Sequence, residues 1–432
     1  MKTYNNPDPS TWQEILQRPF FDMDKLYSSV QVIIDDVKKH GDTALIKYTK
    51  RFDGINLEKI GVNQEIPGSM DASVTDKLKR AISQAKENIE KFHARQLCPD
   101  IHEETVTGVK CWQKSVPIEK VGLYIPGGSA PLLSTVLMLG IPAKLAGCRE
   151  IVLCTPPGKD GRIDSGILYV ANLLGINQVF SLGGVQAIAA MAYGTESVPK
   201  VNKIFGPGNQ FVTAAKQLVS RDSVAIDIPA GPSELAILAD SSAIPAFVAS
   251  DLLSQAEHGA DSQVILITDS EKLAEEVQVE IEKQIAFLPR REIAEQCLSN
   301  SDLILMNNKQ DMIDLVNFYA PEHLIIACED YSNLSEQVMN AGSVFLGNYS
   351  PESAGDYASG TNHTLPTNGW AHAYSGLNMD AFVKKITFQE LSRPGLENIG
   401  ETVMEMARAE ALQAHSNAVS IRLNGRYDKE EI

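Results

Sequence analysis

The sequence predicts an α/β protein with two domains, each built around a buried parallel sheet. From Val121 onward, short continuous apolar segments alternate with helical ones, which is typical of strands covered by helices on both faces. The same alternation begins again at Leu235, after a Pro- and Gly-containing loop at 229–233. A chain of 432 residues, 44% of them hydrophobic, is large enough for two such cores.

Charge and cysteine usage exclude several classes of partner. The chain has 38 Lys and Arg against 55 Asp and Glu, and its net charge of −17 would repel nucleic acid and anionic membranes. The N-terminus lacks a basic segment followed by an apolar core, and the apolar windows are too short to span a bilayer. The six cysteines form no C-x-x-C pair. We therefore expect a cytoplasmic protein without a nucleic-acid or membrane partner.

The residues before Val121 are predicted to be mainly helical. Residues 1–25 place Trp12, Phe20 and Phe21 among polar residues, as an arm that packs on another surface would. Apolar stripes at helical spacing then predict helices over 30–37, 44–52 and 73–92. Residues 105–118 alternate and contain a proline, which predicts an edge strand or a hairpin.

The two α/β patterns can be assigned element by element. The first pattern predicts strands at 121–125, 151–154, 178–182, 203–205 and 224–228, with helices at 132–146, 167–174, 185–193 and 210–219. The second predicts strands at 235–238, 264–268, 303–306, 324–327 and 343–346, with helices at 244–253, 271–287 and 311–319. Residues 350–370 show no periodicity and predict a long loop. Two helical segments, 399–411 and 412–421, end the chain.

Three glycine turns follow predicted strands, at 126–129, 183–184 and 206–209. Glycine allows a ligand to approach the backbone closely, and the helix N-termini that follow favour phosphate. None of the turns matches G-x-G-x-x-G or the Walker A pattern. They predict either a nucleotide crevice at the carboxyl ends of the strands or tight connections without a ligand.

One helix end carries two possible metal ligands. Gln255 and His258 are three residues apart, so on a helix they would face the same way. Gly259 can adopt a left-handed conformation that ends the helix. The pair predicts either a metal site or an ordinary helix end with a surface amide and a capping imidazole.

Three further polar pairs occur where the hydrophobic pattern breaks: Glu322 with His323, Asp356 with His363, and Glu410 with His415. Glu322 and His323 are either two separate general acid/base groups or a surface dipeptide. Glu410 and His415 are either functional residues or part of a solvated helix face. Taken together, two imidazoles, one carboxylate and one amide oxygen would suit zinc, with manganese or cobalt as substitutes; these donors are Gln255, His258, Asp356 and His415.

Six segments, in order along the chain, resemble the histidinol dehydrogenase family. They are VGLYIPGG from Val121, FGPGN from Phe205, AGPSE from Ala230, SQAEH from Ser254, PEHL from Pro321 and SAGDYASGTNH from Ser353. The resemblance implies a zinc-containing homodimer that oxidises L-histidinol to L-histidine in two NAD-dependent steps, the last in histidine biosynthesis. It also implies two incomplete Rossmann-like domains with parallel sheets, a short N-terminal helical arm and a small C-terminal helical segment.

The same resemblance implies domain boundaries and residue roles. The arm would cover 1–25, the first Rossmann-like domain 26–123 and 235–378, the second, on the NAD side, 124–234, and a dimer-crossing segment 379–432. Zinc would be held by Gln255, His258, Asp356 and, from the partner subunit, His415. Glu322 and His323 would be the catalytic pair. Substrate would contact these six residues and Ser233, His363 and Glu410, and NAD would contact Tyr124, Gln186 and Asn209.

On this interpretation, zinc orients the substrate, His323 removes the hydroxyl proton and Glu322 activates water for the second oxidation. Two other enzymatic interpretations stay open. One is a family relative that oxidises another small amino alcohol or a sulfonated alcohol. The other is a metal-dependent hydrolase whose glycine turns are purely structural. A non-catalytic metal- or nucleotide-binding protein would leave Glu322 and His323 without a role.

Overall fold

The computed structural model describes residues 1–18, 23–57, 59–62, 73–127, 131–228 and 231–428. The chain forms two compact units, the first made of Met1–Gln96 and Ile118–Phe382, the second of Leu97–Pro117 and Val383–Ile432. Within the described ranges, every helix is either too short or too polar to cross a membrane.

The first unit contains a six-stranded parallel sheet in the order β1-β12-β11-β10-β13-β14. Its strands are Lys2–Asn5 (β1), Glu234–Ala239 (β10), Gln263–Thr268 (β11), Asp302–Leu305 (β12), His323–Ala327 (β13) and Ser343–Leu346 (β14). The five strands from β10 onward were predicted from their continuous apolar runs. Every residue in β10, β11 and β13 is buried, as expected of strands covered on both faces.

Alternate side chains of this sheet point into two separate cores. Leu235, Ile237 and Ala239 face a cluster completed by the helices Pro245–Ala256, Glu271–Ile285 and Arg291–Ser299. Ala236 and Leu238 face the other side, where they meet the helix Lys309–Tyr319 and Trp12. The predicted helices are confirmed, and the structure adds Arg291–Ser299.

A second six-stranded sheet in the same unit has the order β2-β7-β6-β5-β8-β9. Its strands are Gly61–Val62 (β2), Lys120–Tyr124 (β5), Glu150–Thr155 (β6), Gln178–Ser181 (β7), Lys203–Phe205 (β8) and Ala225–Ile226 (β9). All pairings are parallel except β2 with β7. One face is covered by Asp76–Ala94, Leu133–Ala146 and Ser165–Leu173, and the other by Met23–Phe52, Gly184–Tyr193 and Gln210–Val219.

The grouping of elements differs from the predicted boundary at residue 123. The helical segment Met23–Phe52 breaks at Gly41 (φ 49°), as predicted, but its apolar stripe packs on the second sheet beside Tyr124. Strand β5 lies near the centre of that sheet rather than in the first one. An apolar stripe in the sequence shows that a helix has a buried face; it does not show which sheet covers that face.

The second unit is a three-stranded antiparallel sheet with two helices. The predicted hairpin is formed by Ile101–Val106 (β3) and Val109–Pro117 (β4). Strand β15, Val383–Leu391, pairs with β4 along its whole length. The helices Arg393–Ala409 and Gln413–Asn424 follow. The C-terminal segment was predicted to be helical only, and β15 was missed because most of its residues are exposed and polar.

Two more expectations need correction. Residues 2–5 form edge strand β1 instead of a purely helical arm, followed only by the short helices Pro9–Thr11 and Trp12–Ile15. The segment at 350–370 contains the helix Glu352–Tyr357 and the 3-10 turn Trp370–His372. Other short helices are Tyr331–Ser335 and Met379–Phe382. Phe20, Phe21 and residues 128–129 of the first glycine turn lie outside the described residues, as does Ala230 of the AGPSE segment.

Candidate active site

Strand ends and loops from both six-stranded sheets of the first unit line an open cleft of about 640 Å³. The amino ends of β10, β11 and β13 form one wall, and the loops after β5 and β8 form the other. Eight residues predicted to act at a site line it: Asn209, Ser233, Gln255, His258, Glu322, His323, Asp356 and His363. The structure therefore brings most of the predicted site residues of this unit to one place.

His323 and Glu322 lie at the start of β13, and both are buried. Nδ1 of His323 lies 3.3 Å from the carbonyl oxygen of Glu234, which fixes the ring. Nε2 has no hydrogen-bond partner among the described residues, and it faces Oδ1 of Asp356 at 3.6 Å. A surface dipeptide is therefore ruled out, and the free imidazole nitrogen points toward the cleft.

Carboxylates surround this imidazole. Nδ1 lies 3.7 Å from Oε2 of Glu322 and 3.8 Å from Oε1 of Glu352. Burial lowers the pKa of His323, but the charges of Glu352, Glu322 and Asp356 outweigh burial and raise this pKa to about 10. Burial raises the pKa of Glu322 to about 8. Perturbed groups of this kind are typical of acid/base sites.

The predicted metal ligands of this unit come together beside His323. Gln255 is fully buried near the end of the helix Pro245–Ala256, and neither its Oε1 nor its Nε2 has a partner among the described residues. His258, Asp356 and Glu352 each place a ligand atom within 4.8 Å of the others. A buried amide without a partner is costly unless something coordinates it. These donors therefore fit a metal ion.

The protonation states of these groups also suit a metal. Although the side chain of His258 is exposed to the cleft, the protein around it removes enough water to lower the pKa of the imidazole, which favours the neutral, ligating form. Burial tends to raise the pKa of Asp356, but its contact with His323 outweighs burial and lowers it, so the carboxylate is ionised. The prediction that Gly259 ends this helix in a left-handed conformation is wrong, because Gly259 does not have a positive φ.

His363 and Ser233 border the same site. Nδ1 of His363 lies 3.0 Å from the carbonyl oxygen of Asp356, and its Nε2 lies 3.2 Å from Oγ1 of Thr135. Burial lowers the pKa of His363, so its imidazole is neutral near pH 7. Ser233 lies directly before β10. Both residues are placed to contact a ligand in the cleft.

On the opposite wall, the glycine turn after β8 is fixed by a buried ion pair. Lys216 pairs with Asp227, and its Nζ donates to the carbonyl oxygen of Gly206 at 2.9 Å. Asp227 accepts from the amide of Gly206 at 2.8 Å. Asn209 caps the next helix through bonds to the amides of residues 211 and 212. The turn is thus a rigid part of the wall.

The other two residues predicted to contact NAD lie deeper. The hydroxyl of Tyr124 accepts from the amide of Gly184 at 3.0 Å, and burial raises its pKa to about 12. Gln186 is buried, and its Oε1 has no partner in the described part of the chain. Neither residue is among those that line the cleft. Their contact with NAD stays a prediction.

Glu410 and His415 belong to the second unit. Glu410 is the C-cap of the helix Arg393–Ala409, and His415 lies in the helix Gln413–Asn424. Both are exposed. Their predicted roles toward substrate and zinc stay predictions.

Three residues at the site were missed by the sequence interpretation. Glu352 precedes Asp356 by four residues, so recognising the helix Glu352–Tyr357 would have placed both carboxylates on one face. Glu234 follows Ser233 in the AGPSE segment and pairs with Arg18. Nothing in the sequence around Arg18 points to the cleft.

Comparison with known proteins agrees with this geometry. The family model described as histidinol dehydrogenase matches residues 16–423. Histidinol dehydrogenase from Bacteroides thetaiotaomicron is 59% identical over 424 residues, which cover 98% of this chain and 99% of that protein. The enzyme of the same name from Salmonella typhimurium is 50% identical, covering 98% and 97%. The crystal structure of histidinol dehydrogenase from Elizabethkingia anophelis superposes with a TM-score of 0.96 at 54% identity, covering 98% of each chain. This chain therefore belongs to the histidinol dehydrogenase family of oxidoreductases.

Proposed function

We propose that this protein oxidises L-histidinol to L-histidine through L-histidinal, the last step of histidine biosynthesis. The overall reaction consumes one alcohol, one water and two NAD⁺, and it yields one carboxylate, two NADH and three protons. The observation that carries the proposal is the buried Glu322–His323 pair facing the metal-donor set in a single cleft. Because all six cysteines lie in the described ranges and are free thiols, we place the reaction in the cytoplasm.

In the first oxidation, His323 acts as the base. Its Nδ1 is held at the Glu234 carbonyl, so Nε2 is the nitrogen that can take the alcohol proton. Bound NAD⁺ would accept the hydride that the alcohol carbon loses as the O–H bond breaks, and the product is the aldehyde. We propose that the dinucleotide binds at the wall of the cleft that contains Asn209, where Tyr124 and Gln186 would contact it.

In the second oxidation, Glu322 acts on water. A pKa raised to about 8 by burial places this carboxyl group near the working pH, where it can take a proton efficiently. Water adds to the aldehyde carbon as Glu322 takes one of its protons, while His323 returns the proton of the first oxidation to the aldehyde oxygen, which gives the gem-diol. His323 then takes a proton from one hydroxyl of the gem-diol as the carbon loses its second hydride, which a second NAD⁺ would accept. The carboxylic acid so formed ionises to the carboxylate.

We assign the metal as zinc, held by Gln255, His258, Asp356 and the partner subunit's His415. When bound, zinc would orient the substrate, and its charge would offset the carboxylates that raise the pKa of His323. Ser233, His363 and Glu410 would contact the substrate around it. The imidazole of His363 is neutral and half-buried, which suits a hydrogen bond to the substrate.

The stoichiometry of the reaction tests this function. We expect two NADH for each L-histidinol consumed by the zinc-loaded enzyme, and slower turnover of a sulfonated diol under the same conditions. One NADH would mean that the aldehyde escapes before the second oxidation. Absence of NADH, or hydrolysis without NAD, would refute the proposal.

A subunit-mixing experiment tests the shared metal site. His258→Asn and His415→Asn subunits should each be inactive alone. Refolding or exchanging them in equal amounts forms mixed dimers, which keep one intact site each, so about a quarter of all sites should recover activity. If His415 completed the site of its own subunit, no mixture would recover activity, and the shared-site assignment would fail.

A further inference from the structure

We propose that Arg18 and Glu234 are positioning residues for the catalytic pair. Their buried ion pair fixes the backbone of Glu234, and that backbone holds both Glu322 and His323. The proposal rests on the proposed function, because it assumes that Glu322 and His323 carry the chemistry. It adds a component from the N-terminal segment of the chain.

The first observation is that one residue contacts both catalytic side chains through its main chain. The amide N–H of Glu234 donates to Oε2 of Glu322 at 2.9 Å. Its carbonyl oxygen lies 3.3 Å from Nδ1 of His323. Glu234 begins β10, the strand that pairs with the start of β13. A shift in the backbone of this one residue would therefore disturb both groups.

The second observation is the way in which the side chain of Glu234 is held. Arg18 approaches its carboxylate with two nitrogens, Nε to Oε1 at 2.6 Å and Nη2 to Oε2 at 3.0 Å. The amide of Asn368 donates to Oε1 at 2.7 Å. The two ion-pair side chains are only 19% and 4% exposed. Two-point pairing of guanidinium and carboxylate fixes direction as well as distance.

Arg18 is itself held from a third segment. Its Nη2 donates to the carbonyl oxygen of Tyr319 at 2.6 Å, and its guanidinium carbon lies 4.1 Å from the centre of the Tyr319 ring. Residues far apart in the sequence thus converge on one carboxylate. An exposed salt bridge between two mobile side chains contributes little to stability. The Arg18–Glu234 pair differs from such a bridge, because both of its side chains are held by further contacts.

The consequence for chemistry concerns the imidazole of His323. A hydrogen bond from Nδ1 to the Glu234 carbonyl keeps the proton on Nδ1 and leaves Nε2 as the nitrogen that faces the cleft. Removing Arg18 would leave the Glu234 carboxylate buried without its counter-ion. The carboxylate would then move toward water and take its backbone with it, which would misplace both catalytic groups.

The test uses the zinc-loaded enzyme and three variants. Arg18→Ala removes the pair, and Arg18→Lys keeps the charge but loses the two-point contact. Lys309→Met is the matched control, because Lys309 pairs with Asp240 at 2.9 Å just beyond the far end of the same strand, β10. Each protein is assayed for kcat and for KM toward L-histidinol, and its melting temperature is measured.

We expect Arg18→Ala to lower kcat by about tenfold to a hundredfold with little change in KM, because misplaced groups act on the reacting atoms rather than on binding. Arg18→Lys should recover part of the loss. Lys309→Met should lower the melting temperature without lowering kcat. If Arg18→Ala only lowers the melting temperature and keeps the wild-type kcat, the pair is merely structural and the proposal is overturned.

A second measurement does not depend on turnover. The Nδ1–H proton of His323 gives an NMR signal only while a hydrogen bond protects it from exchange with water, and the His323→Asn variant identifies that signal. We expect the signal in wild type and Lys309→Met, and its loss in Arg18→Ala. An unchanged signal in Arg18→Ala overturns the proposal. If wild type did not oxidise L-histidinol, the proposed function would fail, and this signal alone would decide whether Arg18 positions the ring.

Discussion

Oδ1 of Asp356 lies 3.6 Å from Nε2 of His323, so a proposed metal ligand and the proposed base face the same point of the cleft. The two roles nevertheless belong to different side chains. Metal retention would depend on Gln255, His258 and Asp356, whereas proton transfer would depend on Glu322 and His323. This separation can be measured by assaying metal content and turnover in the same variants.

Replacing a catalytic group should stop turnover and leave the metal in place. We expect His323→Asn and Glu322→Gln each to lower kcat by about a hundredfold to ten-thousandfold, the usual contribution of general acid/base catalysis. Elemental analysis should find near wild-type zinc in both proteins. Asp356→Asn provides the contrast, since it should lose zinc as well as activity. Equal zinc loss in all three variants would contradict the assignment of roles.

Replacing Gln255 should have opposite effects on the metal-free and metal-loaded protein. Its buried amide has no partner among the described residues, so Gln255→Leu should raise the free energy of unfolding of the metal-free protein by about 1 to 3 kcal/mol. The same change should weaken zinc binding. Chemical denaturation with and without a chelator measures both effects.

Asn362 supplies the control for this change. Its buried amide donates to the Met138 carbonyl at 2.7 Å and accepts from the Thr364 amide at 3.0 Å. Asn362→Leu should therefore destabilise the protein under both conditions. If Gln255→Leu destabilised the metal-free protein as much as Asn362→Leu does, the argument from the unpartnered amide would be wrong.

The stability of the protein should depend on the titration of Asp302 at the start of β12. Burial raises the pKa of this carboxyl group from its ordinary 3.8 to about 6. Between these two values the unfolded chain has released the proton while the folded protein keeps it, so stability falls as the pH rises from about 4 to about 6. Above pH 6 this loss of stability persists, because the ionised carboxylate of Asp302 stays buried.

Asp302→Asn should remove this dependence. At pH 8 we expect the free energy of unfolding of the variant to be about 1 to 3 kcal/mol higher than that of wild type. Below pH 4 we expect the two free energies to be the same. Urea titrations at the two pH values give the difference. A gain of equal size at both pH values would show that the carboxylate charge is not its cause.

The turn after β8 should not tolerate a side chain at its first glycine. Gly206 has φ +125°, and a Cβ there would lie 2.1 Å from the carbonyl oxygen of Tyr124. We expect Gly206→Ala to cost at least about 2 kcal/mol and to weaken NAD binding, because the adjacent wall must move. Thermal unfolding and a dinucleotide titration measure the two effects.

Gly175→Ala is the matched control, since Gly175 also has a positive φ but its nearest contact would be 3.7 Å away. It should cost only about 1 kcal/mol and leave NAD binding unchanged. Similar losses in the two variants would mean that backbone strain, and not the Tyr124 contact, limits this turn.

Most of the regular structure followed from local pattern. Continuous apolar runs identified the strands from β5 to β14, apart from their exact ends, because strands buried on both faces contain few polar residues. The strands that were missed, β1, β2 and β15, are short or polar and lie at sheet edges, where pairing depends on a distant segment. The helix Glu352–Tyr357 is too short to show a period.

The features of the site likewise fall into those that the sequence indicates and those that only the structure reveals. The sequence by itself determined the residue types, their order and their resemblance to a family, and thereby pointed to Glu322, His323 and the metal donors. Only the tertiary structure decided that Met23–Phe52 packs on the second sheet, that Glu352 lies beside His258 and Asp356, and that Arg18 reaches Glu234. The physical reason is that a motif records which groups are present over a few neighbouring residues. The partners of a buried charge are chosen by packing between segments that can lie hundreds of residues apart.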